Sequence, residues 1–250
     1  MNQIYIHPKR KTKVVFVQLG SPSEPTTKAL RKYLRKFLGD PRVIDINPWL
    51  WKIILNFFVL PFRPKKSAKL YARIWDGKSF PLITNTRDFT NNVREELRKI
   101  DPHGHVEVNH AFLLSPPYVN EVYDSWEDDL KKGVGATKLL VIPMFPQYSE
   151  STIASGIDAL AKELSKRVKI PTFEVITNFH RTHAFIDNSV NQVDAKINEL
   201  QKQGKKIDSL IITFHGMQKR RIVNKGDDYY RHCYEMFCLI TNKLQHIAPE

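Results

Sequence analysis

The stretch KVVFVQLGSPSEPTTKALRKYLRKFLGD, residues Lys13 to Asp40, holds the unit from which the fold is predicted. It begins with a run of β-branched and other apolar residues that ends in Gly-Ser-Pro, a pattern typical of a buried strand followed by a turn. The residues after the turn place apolar side chains at helical spacing. The stretch therefore predicts a strand, a loop and a helix, in that order.

The same order recurs along the rest of the chain. A segment from Pro81 is strand-like at first and then helical, and helices also follow several further strand-like segments. Those segments are HVEVNHAFLL (105–114), TKLLVIPMFPQYS (137–149), TFEVITNF (172–179) and KIDSLIITFHG (206–216). Such alternation predicts an α/β fold in which open parallel sheets carry helices on both faces. Ligands of these folds bind at the carboxyl ends of the strands, and His215 lies at such an end.

The composition is that of a globular protein with a basic charge balance. The chain has 250 residues, of which 42% are hydrophobic, so one large or two small domains are allowed. Its 39 Lys and Arg against 26 Asp and Glu give a net charge of +13, which favours an anionic partner: nucleic acid, an acidic membrane surface or a carboxylate ligand. No nucleic-acid recognition motif is present, so a nucleic-acid partner is not expected. No glycine-rich nucleotide-binding motif is present either, so a nucleotide ligand is not expected.

Three features predict a cytoplasmic protein. The N-terminus MNQIYIHPKRKTK lacks the apolar core of a secretory signal, so export is not expected. Cys233 and Cys238 suit neither a disulfide framework nor a metal ribbon, and we interpret them as reduced core thiols. The strongest apolar run, Pro48 to Phe62, is too short to span a membrane and fits an amphipathic surface helix. Peripheral association with a membrane stays open.

Four segments, in this order, carry a resemblance to a known family. They are VVFVQLGSPSEPTTKALRKYLRKFLGDPRVIDI (14–46), LPFRPKKSAKLYARIW (60–75), VIPMFPQYSESTIAS (141–155) and ITFHGMQKRRIVNKGDDYY (212–230). Together they resemble ferrochelatases, the family that inserts ferrous iron into a porphyrin in the last stages of haem synthesis. The resemblance implies two Rossmann-like domains with the porphyrin in the cleft between them. Residues 1–145 would form the first domain and residues 146–250 the second, which lacks its usual C-terminal part.

The resemblance implies that His215 is the catalytic residue, because it matches the histidine of the family's His-Gly motif. A neutral imidazole, with an ordinary pKa of about 6.5, can take up pyrrole protons or present a nitrogen to a metal. From residue type alone, the alternative is a histidine that ends a buried strand and caps the next helix. His180 and His183 share one face if both are helical, and the resemblance implies an iron path there, with His183 and His215 as metal-binding residues. Helix capping by His180 is the alternative.

The resemblance also implies porphyrin-binding residues in the first domain. Leu19 falls where the family places a residue against the ring, and Arg63 and Tyr71 fall where it binds the propionates. The apolar run 48–62 is either a lip of the porphyrin cleft or part of the core. The lysines that follow Arg63 are expected to form a solvated basic patch.

Further porphyrin-binding residues are implied in the second domain. Tyr148 and Ser149 belong to a segment that matches the family's Pro-Gln-Tyr-Ser motif. Tyr229 falls close to the tyrosine of its Gly-Asp-Pro-Tyr motif, and Tyr230 is also eligible because the register there is open.

The chain also departs from the family's pattern. Phe80 stands where a propionate-contacting serine is expected, HAFLLSPPY (110–118) replaces a polar and usually charged segment, and the chain stops at Glu250 before the family's acidic segment. We therefore expect a C-terminally shortened ferrochelatase that takes Fe²⁺ and protoporphyrin IX or coproporphyrin III as substrates, with no tightly bound cofactor. The alternative is a catalytically impaired paralogue that binds porphyrin or haem without metallating it. A homodimer that covers an exposed strand edge is a further expectation.

Overall fold

The computed structural model describes residues 11–133 and 135–244, in which one parallel sheet of four strands is flanked by helices. The strands are β1 (Thr12–Gln18), β2 (Val106–Phe112), β3 (Lys138–Pro143) and β4 (Thr172–Val175), in the spatial order β2-β1-β3-β4. The α-helices are α1 (Thr27–Leu38), α2 (Pro48–Ile54), α3 (Arg63–Tyr71), α4 (Pro81–Ile100), α5 (Val119–Lys131), α6 (Ser155–Leu164), α7 (His183–Lys202), α8 (Lys219–Lys225) and α9 (Tyr229–Lys243). Leu55–Val59 and Glu150–Ala154 are π-helical, and Ala72–Ile74 is a 3₁₀ turn.

Strand β1 is an inner strand of the sheet, paired with β2 and β3, and its side chains are buried on both faces. Val15 and Val17 pack with Trp126 of α5 on one face, whereas Val14 and Phe16 pack with residues of β2 and α4 on the other. Burial of an aliphatic side chain of this size stabilises the fold by about 1.5–3 kcal/mol. The predicted α/β fold, a parallel sheet with helices on both faces, is confirmed.

Contacts divide the described residues into two compact units. The first unit comprises the residues up to Met144 together with Glu150–Ile176, and it contains the whole sheet. The second unit comprises Phe145–Ser149 and the residues from Thr177 onward, and its apolar core lies between α7 and α9. The predicted domain boundary after residue 145 stays a prediction, because a compact contact unit does not by itself define a folding domain.

The segment that begins at Pro81 is helical from its first residue, so the strand-like start expected from its sequence is wrong. Proline at the first helical position has no N–H to leave unpaired, and its φ already suits a helix. Thr86 and Thr90 are buried, and their hydroxyls donate to the carbonyls of Leu82 and Thr86, each 2.7 Å away. Helical hydrogen bonding along α4 has therefore overridden the β propensity of the first residues.

The predicted strand 206–216 is also wrong, because these residues pair with no strand in the described part of the chain. Leu210 is 48% exposed and Ile211 is 80% exposed. The backbone is instead held near its end, where His215 N–H donates to the Tyr229 hydroxyl at 3.0 Å. An apolar, β-branched sequence forms a strand only where a neighbouring strand satisfies its backbone.

The apolar run after Asn47 forms α2 and the first π-helical stretch on the surface of the first unit. The Asn47 side chain accepts hydrogen bonds from the first helical N–H groups, which starts the helix. Leu55 and Leu60 are buried against α1, whereas Trp49 and Phe57 are 77% and 69% exposed. Within residues 11–133 and 135–244, no helix has the length and apolar character that crossing a bilayer requires.

Candidate functional site

The turn after β1 positions Leu19 on a backbone that requires glycine at the next residue. Gly20 has a φ of +89°, and a Cβ at this position would overlap Ser115 Oγ. Leu19 N–H donates to Gln18 Oε1 and its carbonyl accepts from Leu114 N–H, both at 2.9 Å. The half-buried Leu19 is thus held at the carboxyl end of the central strand, where α/β folds bind ligands.

Arg63 and Tyr71 lie at opposite ends of α3, about 12 Å apart along its axis. Arg63 is exposed, and its guanidinium makes no hydrogen bond or ion pair with another described residue. Tyr71 is half-buried, with its ring centroid 6.2 Å from that of Tyr33. Burial and the neighbouring Tyr71 hydroxyl raise the pKa of Tyr33. Arg63 is therefore available to an external carboxylate, whereas Tyr71 is packed into the helical cluster.

Phe80 is a core residue rather than a ligand contact. It is 2% exposed, and its ring centroid lies 5.5 Å from that of Tyr71 and 4.7 Å from that of Trp75. The adjoining pocket of about 280 Å³ is lined partly by polar groups, among them Lys32 and Lys78. Two lysine side chains therefore line the pocket that Phe80 adjoins.

The Pro-Gln-Tyr-Ser loop after β3 belongs to the second unit and is held there by polar side chains. Tyr148 N–H donates to His232 Nδ1 at 3.1 Å. Ser149 is 3% exposed, and its hydroxyl donates to Asp227 Oδ2 at 3.5 Å. Asp227 is itself 4% exposed and accepts from Tyr229 N–H at 2.9 Å through its other carboxylate oxygen. Tyr148, Ser149 and Tyr229 are thus brought into one hydrogen-bonded region.

His215 lies beside Tyr229 at the edge of an aromatic pocket of the second unit. Its N–H donates to the Tyr229 hydroxyl, and the residue itself is exposed. Burial, followed by the hydrogen-bonded Cys233 thiol, raises the pKa of Tyr229 to about 12. The pocket measures about 380 Å³ and is lined mainly by apolar and aromatic side chains, which include Phe214, Tyr230 and Phe237. His215 therefore combines an anchored backbone with a side chain that a ligand can reach.

His183 is not joined to His215 by any hydrogen bond in the described residues. It is the first residue of α7 and exposed, and its nearest charged neighbour on the helix is Asp187, whose pKa is lowered mainly by Lys243. His180 precedes the helix, so the expectation that it shares a helical face with His183 is wrong. Among the residues described, no group of three or more His, Cys, Asp or Glu side chains is arranged to hold a metal ion.

Two buried histidines beside the loop were not singled out by sequence reasoning as a pair. His180 and His232 are 1% and 4% exposed, and their rings stack with centroids 4.0 Å apart. His180 Nε2 lies 2.8 Å from Glu235 Oε2, which lowers the pKa of Glu235. Burial, followed by His180 and Arg231, lowers the pKa of His232. Since these residues come from separate segments, the spacing of the sequence carries no signal of the pair.

The sequence model of the ferrochelatase family matches residues 11–249, which is most of the chain. The chain belongs to the ferrochelatase family. It is 36% identical over 234 residues to a ferrochelatase of Idiomarina loihiensis, an alignment that covers 94% of this chain and 61% of the relative. A ferrochelatase of Actinobacillus pleuropneumoniae is 36% identical, with 94% of this chain and 68% of the relative covered. One from Francisella tularensis is 34% identical, with 99% and 70% covered. The chain thus spans between three fifths and seven tenths of the length of these ferrochelatases.

The ferrochelatase residues implied by the sequence lie in both compact units, and their roles stay predictions. Leu19, Arg63 and Tyr71 belong to the first unit, and the structure does not bring Arg63 into contact with Tyr71. In the second unit, hydrogen bonds join His215 to Tyr229 and connect the Tyr148–Ser149 loop to α9 and the residue pair before it. His183 lies apart from these bonds. The second unit therefore assembles the larger share of the candidate site.

Proposed function

We propose that the chain acts as a ferrochelatase that takes Fe²⁺ and a porphyrin as substrates, with His215 as the catalytic residue. The observation that carries the proposal is the position of His215 beside Tyr229, with an exposed side chain at an aromatic-lined pocket of about 380 Å³. Such a pocket suits a flat apolar macrocycle. Membership of the family supplies the reaction class.

Metal insertion requires a group that accepts protons, because the porphyrin loses its pyrrole protons as Fe²⁺ enters. The His215 imidazole can accept these protons and, since it is exposed, can pass them to water. Tyr229 keeps its own proton at neutral pH, since burial and Cys233 raise its pKa to about 12. Tyr229 therefore serves to position His215 rather than to act as a base.

The test is an anaerobic assay of Fe²⁺ or Zn²⁺ insertion into protoporphyrin IX and coproporphyrin III, measured by loss of free-base fluorescence. We expect His215→Ala to lower the insertion rate by about 10²–10⁴-fold, the usual contribution of a general acid–base group, while porphyrin affinity stays within a few-fold. The matched control is His103→Ala, an exposed histidine of the first unit, which should change neither quantity. Equal insertion rates in the parent and His215→Ala would remove His215 from the mechanism.

The second candidate function is binding of porphyrin or haem without metallation. Phe80 favours it, because this buried ring cannot supply the hydroxyl that the family's serine offers to a propionate. A pure binder would show porphyrin affinity but no insertion above the uncatalysed rate. His215→Ala would then change only the ligation of added haemin, visible in the Soret band.

The exposed apolar surface of α2 and its continuation supports a peripheral association with membranes, which we add to the proposal. Trp49, Phe57, Phe58 and Phe62 are each at least two thirds exposed, a set that would be costly to leave in water unless a partner covers it. Co-sedimentation with vesicles, compared between the parent and Phe57→Ser, tests this association. We further propose that the protein acts in the cytoplasm, without a nucleic-acid partner or a tightly bound cofactor. We also propose a homodimer, which sedimentation velocity would test.

A further inference from the structure

The loop Pro146–Ser149 is held to the second unit by two histidines that the proposed reaction does not use. The Pro146 carbonyl accepts from Phe179 N–H and from His180 N–H, each at 3.0 Å. Tyr148 N–H donates to the side chain of His232 at 3.1 Å. The backbone of one histidine and the ring of the other therefore fix the same short loop.

The ring of His232 can hold Tyr148 in only one protonation state. A nitrogen that accepts from the Tyr148 N–H must carry a lone pair, so Nδ1 is unprotonated. The neutral ring therefore carries its proton on Nε2, which lies 3.2 Å from Arg231 Nη2 and makes no hydrogen bond with this second donor. Protonation of Nδ1 would place two N–H groups face to face and break the contact with Tyr148.

Stacking on His180, which is itself hydrogen-bonded to Glu235, fixes the plane of the His232 ring. His180 stacks on it at 4.0 Å with 24° between the ring planes. The Glu235 carboxylate can only accept, so His180 Nε2 donates to it at 2.8 Å. His180 Nδ1 is buried and has no hydrogen-bond partner among the described residues, so the ring is held through Nε2 and by stacking alone.

From this geometry we propose that His232 is a positioning residue that, in its neutral form, holds Tyr148 and thereby the Tyr148–Ser149 loop in the arrangement that the porphyrin site requires. That the loop binds a porphyrin rests on the proposed function. That His232 holds the loop does not depend on it.

The charged and titratable groups around His232 favour its neutral form. Burial is the main cause that lowers the pKa of His232, and the stacked His180 and then Arg231 lower it further, whereas Asp228 and Glu235 raise it. The unfolded chain, with a histidine pKa of about 6.5, therefore binds this proton more readily than the folded chain does. The contact with Tyr148 is fully present above about pH 6.5 and is lost as the pH falls through the lower folded value.

The test compares variants that differ only in what they offer to Tyr148. The chain has 9 tyrosines, so [¹⁵N]tyrosine labelling gives few amide signals, and Tyr148→Phe assigns the relevant one. His232→Asn places an amide oxygen close to the position of Nδ1 and does not titrate, whereas His232→Leu fills the site without an acceptor. We expect the Tyr148 amide of His232→Leu to exchange with solvent about ten-fold faster than in the parent, and that of His232→Asn to stay within a few-fold.

We expect the kinetics of metal insertion to rank the His232 variants in the same order as the exchange of the Tyr148 amide. In the metal-insertion assay we expect His232→Leu to raise the KM for porphyrin about ten-fold with a smaller change in kcat, because the loop binds the porphyrin, and His232→Asn to restore most of the parent's KM. His103→Asn, an exposed histidine of the first unit, is the matched control and should change neither readout. If the parent inserts no metal, the proposed function is wrong. The exchange of the Tyr148 amide still tests whether His232 holds the loop.

Two outcomes would overturn the positioning role. One is a Tyr148 amide that exchanges equally slowly in His232→Leu and in the parent, and the other is a His232→Asn amide that exchanges as fast as that of His232→Leu. If His232→Leu does not fold, acid titration decides. The exchange of Tyr148, corrected for the intrinsic effect of pH, must accelerate below pH 6.5 in the parent and not in His232→Asn, and parallel curves would refute the proposal.

Discussion

Two segments of the chain share one sequence pattern, an apolar β-branched run followed by glycine, but only one of them is a strand. VVFVQLG (14–20) lies between β2 and β3, and its Val15 is 3% exposed. LIITFHG (210–216) pairs with no strand in the described residues, and its Ile211 is 80% exposed. The difference shows that β propensity is realised only where neighbours satisfy the backbone and cover the side chains.

The same difference separates the two parts of the candidate site. Leu19 follows a strand whose backbone is bonded on both sides, so its position is fixed by the core of the first unit. His215 follows a segment anchored by the hydroxyl of Tyr229. We therefore expect substitutions near the first segment to act on stability, and those near the second to act on ligand chemistry.

The largest expected effect compares two phenylalanines. Phe112, at the end of β2, is 0% exposed, whereas Phe214 is only half-buried. Phe112→Ala should lower the free energy of unfolding by about 3–5 kcal/mol, because it leaves a cavity in the core. Phe214→Ala should lower it by no more than about 1 kcal/mol. Urea unfolding measures both values, and equal losses would show that segment 210–216 is packed as tightly as the sheet.

A pair of glycines sharpens the comparison at the backbone. A Cβ at Gly20 would overlap Ser115 Oγ and approach Phe112 Cβ to 3.0 Å at a φ of +89°, so Gly20→Ala should destabilise the fold by about 2–4 kcal/mol. A Cβ at Gly216 meets no atom within 4 Å in the described structure. Gly216→Ala should therefore leave the free energy of unfolding within about 1 kcal/mol of the parent. Thermal unfolding of both variants provides the measurement, and a stable Gly20→Ala would contradict the role of the turn.

Arg63 is a candidate site residue of the first unit whose guanidinium makes no hydrogen bond or ion pair with another described residue. Its loss should therefore leave stability unchanged and weaken porphyrin binding by about ten-fold or more, since a charge-assisted contact is worth about 1.5–3 kcal/mol. Arg73→Ala, which removes an exposed arginine of the turn after α3, is the control. Fluorescence titration with coproporphyrin III and protoporphyrin IX compares the two variants. Identical affinities for Arg63→Ala and the parent would exclude Arg63 from the propionate site.

The smallest expected effect concerns surface carboxylates, one in each unit. Lys243 lowers the pKa of Asp187 in the second unit, and Arg42 lowers that of Asp158 in the first. Each pair stabilises the fold above the ordinary carboxyl pKa of about 3.9, and this contribution is lost as the pH falls through the lower folded value. Asp187→Asn and Asp158→Asn should each reduce stability slightly at pH 6 and have no effect in strong acid. A difference from the parent that persists in acid would show that the effect is not due to the charge.

Much of the fold could be predicted from local sequence, and the errors have a common cause. The apolar runs that form β1, β2, β3 and β4 are all predicted as strands from the sequence. The two wrong predictions, a strand-like start at Pro81 and a strand at 206–216, concern segments whose structure depends on more than local β preference. Hydrogen bonds along a helix decided the first, and the lack of a paired strand in the described residues decided the second.

The candidate site was predictable only residue by residue. Motif resemblance named His215, Tyr229, Tyr148 and Ser149, because each lies in a short matched segment. The hydrogen bond between Tyr148 and His232 joins residues 84 positions apart, and no local sequence pattern predicts it. Partners of this kind depend on how helices and loops pack after folding.

The sequence by itself determined the α/β class, the family and the turn after β1, because periodicity, ordered motifs and a Gly-Ser-Pro turn signal are properties of short stretches of chain. Only the tertiary structure decided which apolar runs became strands, that Phe80 is buried in the core, and that two buried histidines hold the loop of Tyr148. Those outcomes depend on contacts between distant residues, where burial and hydrogen bonding exceed the small differences of local propensity.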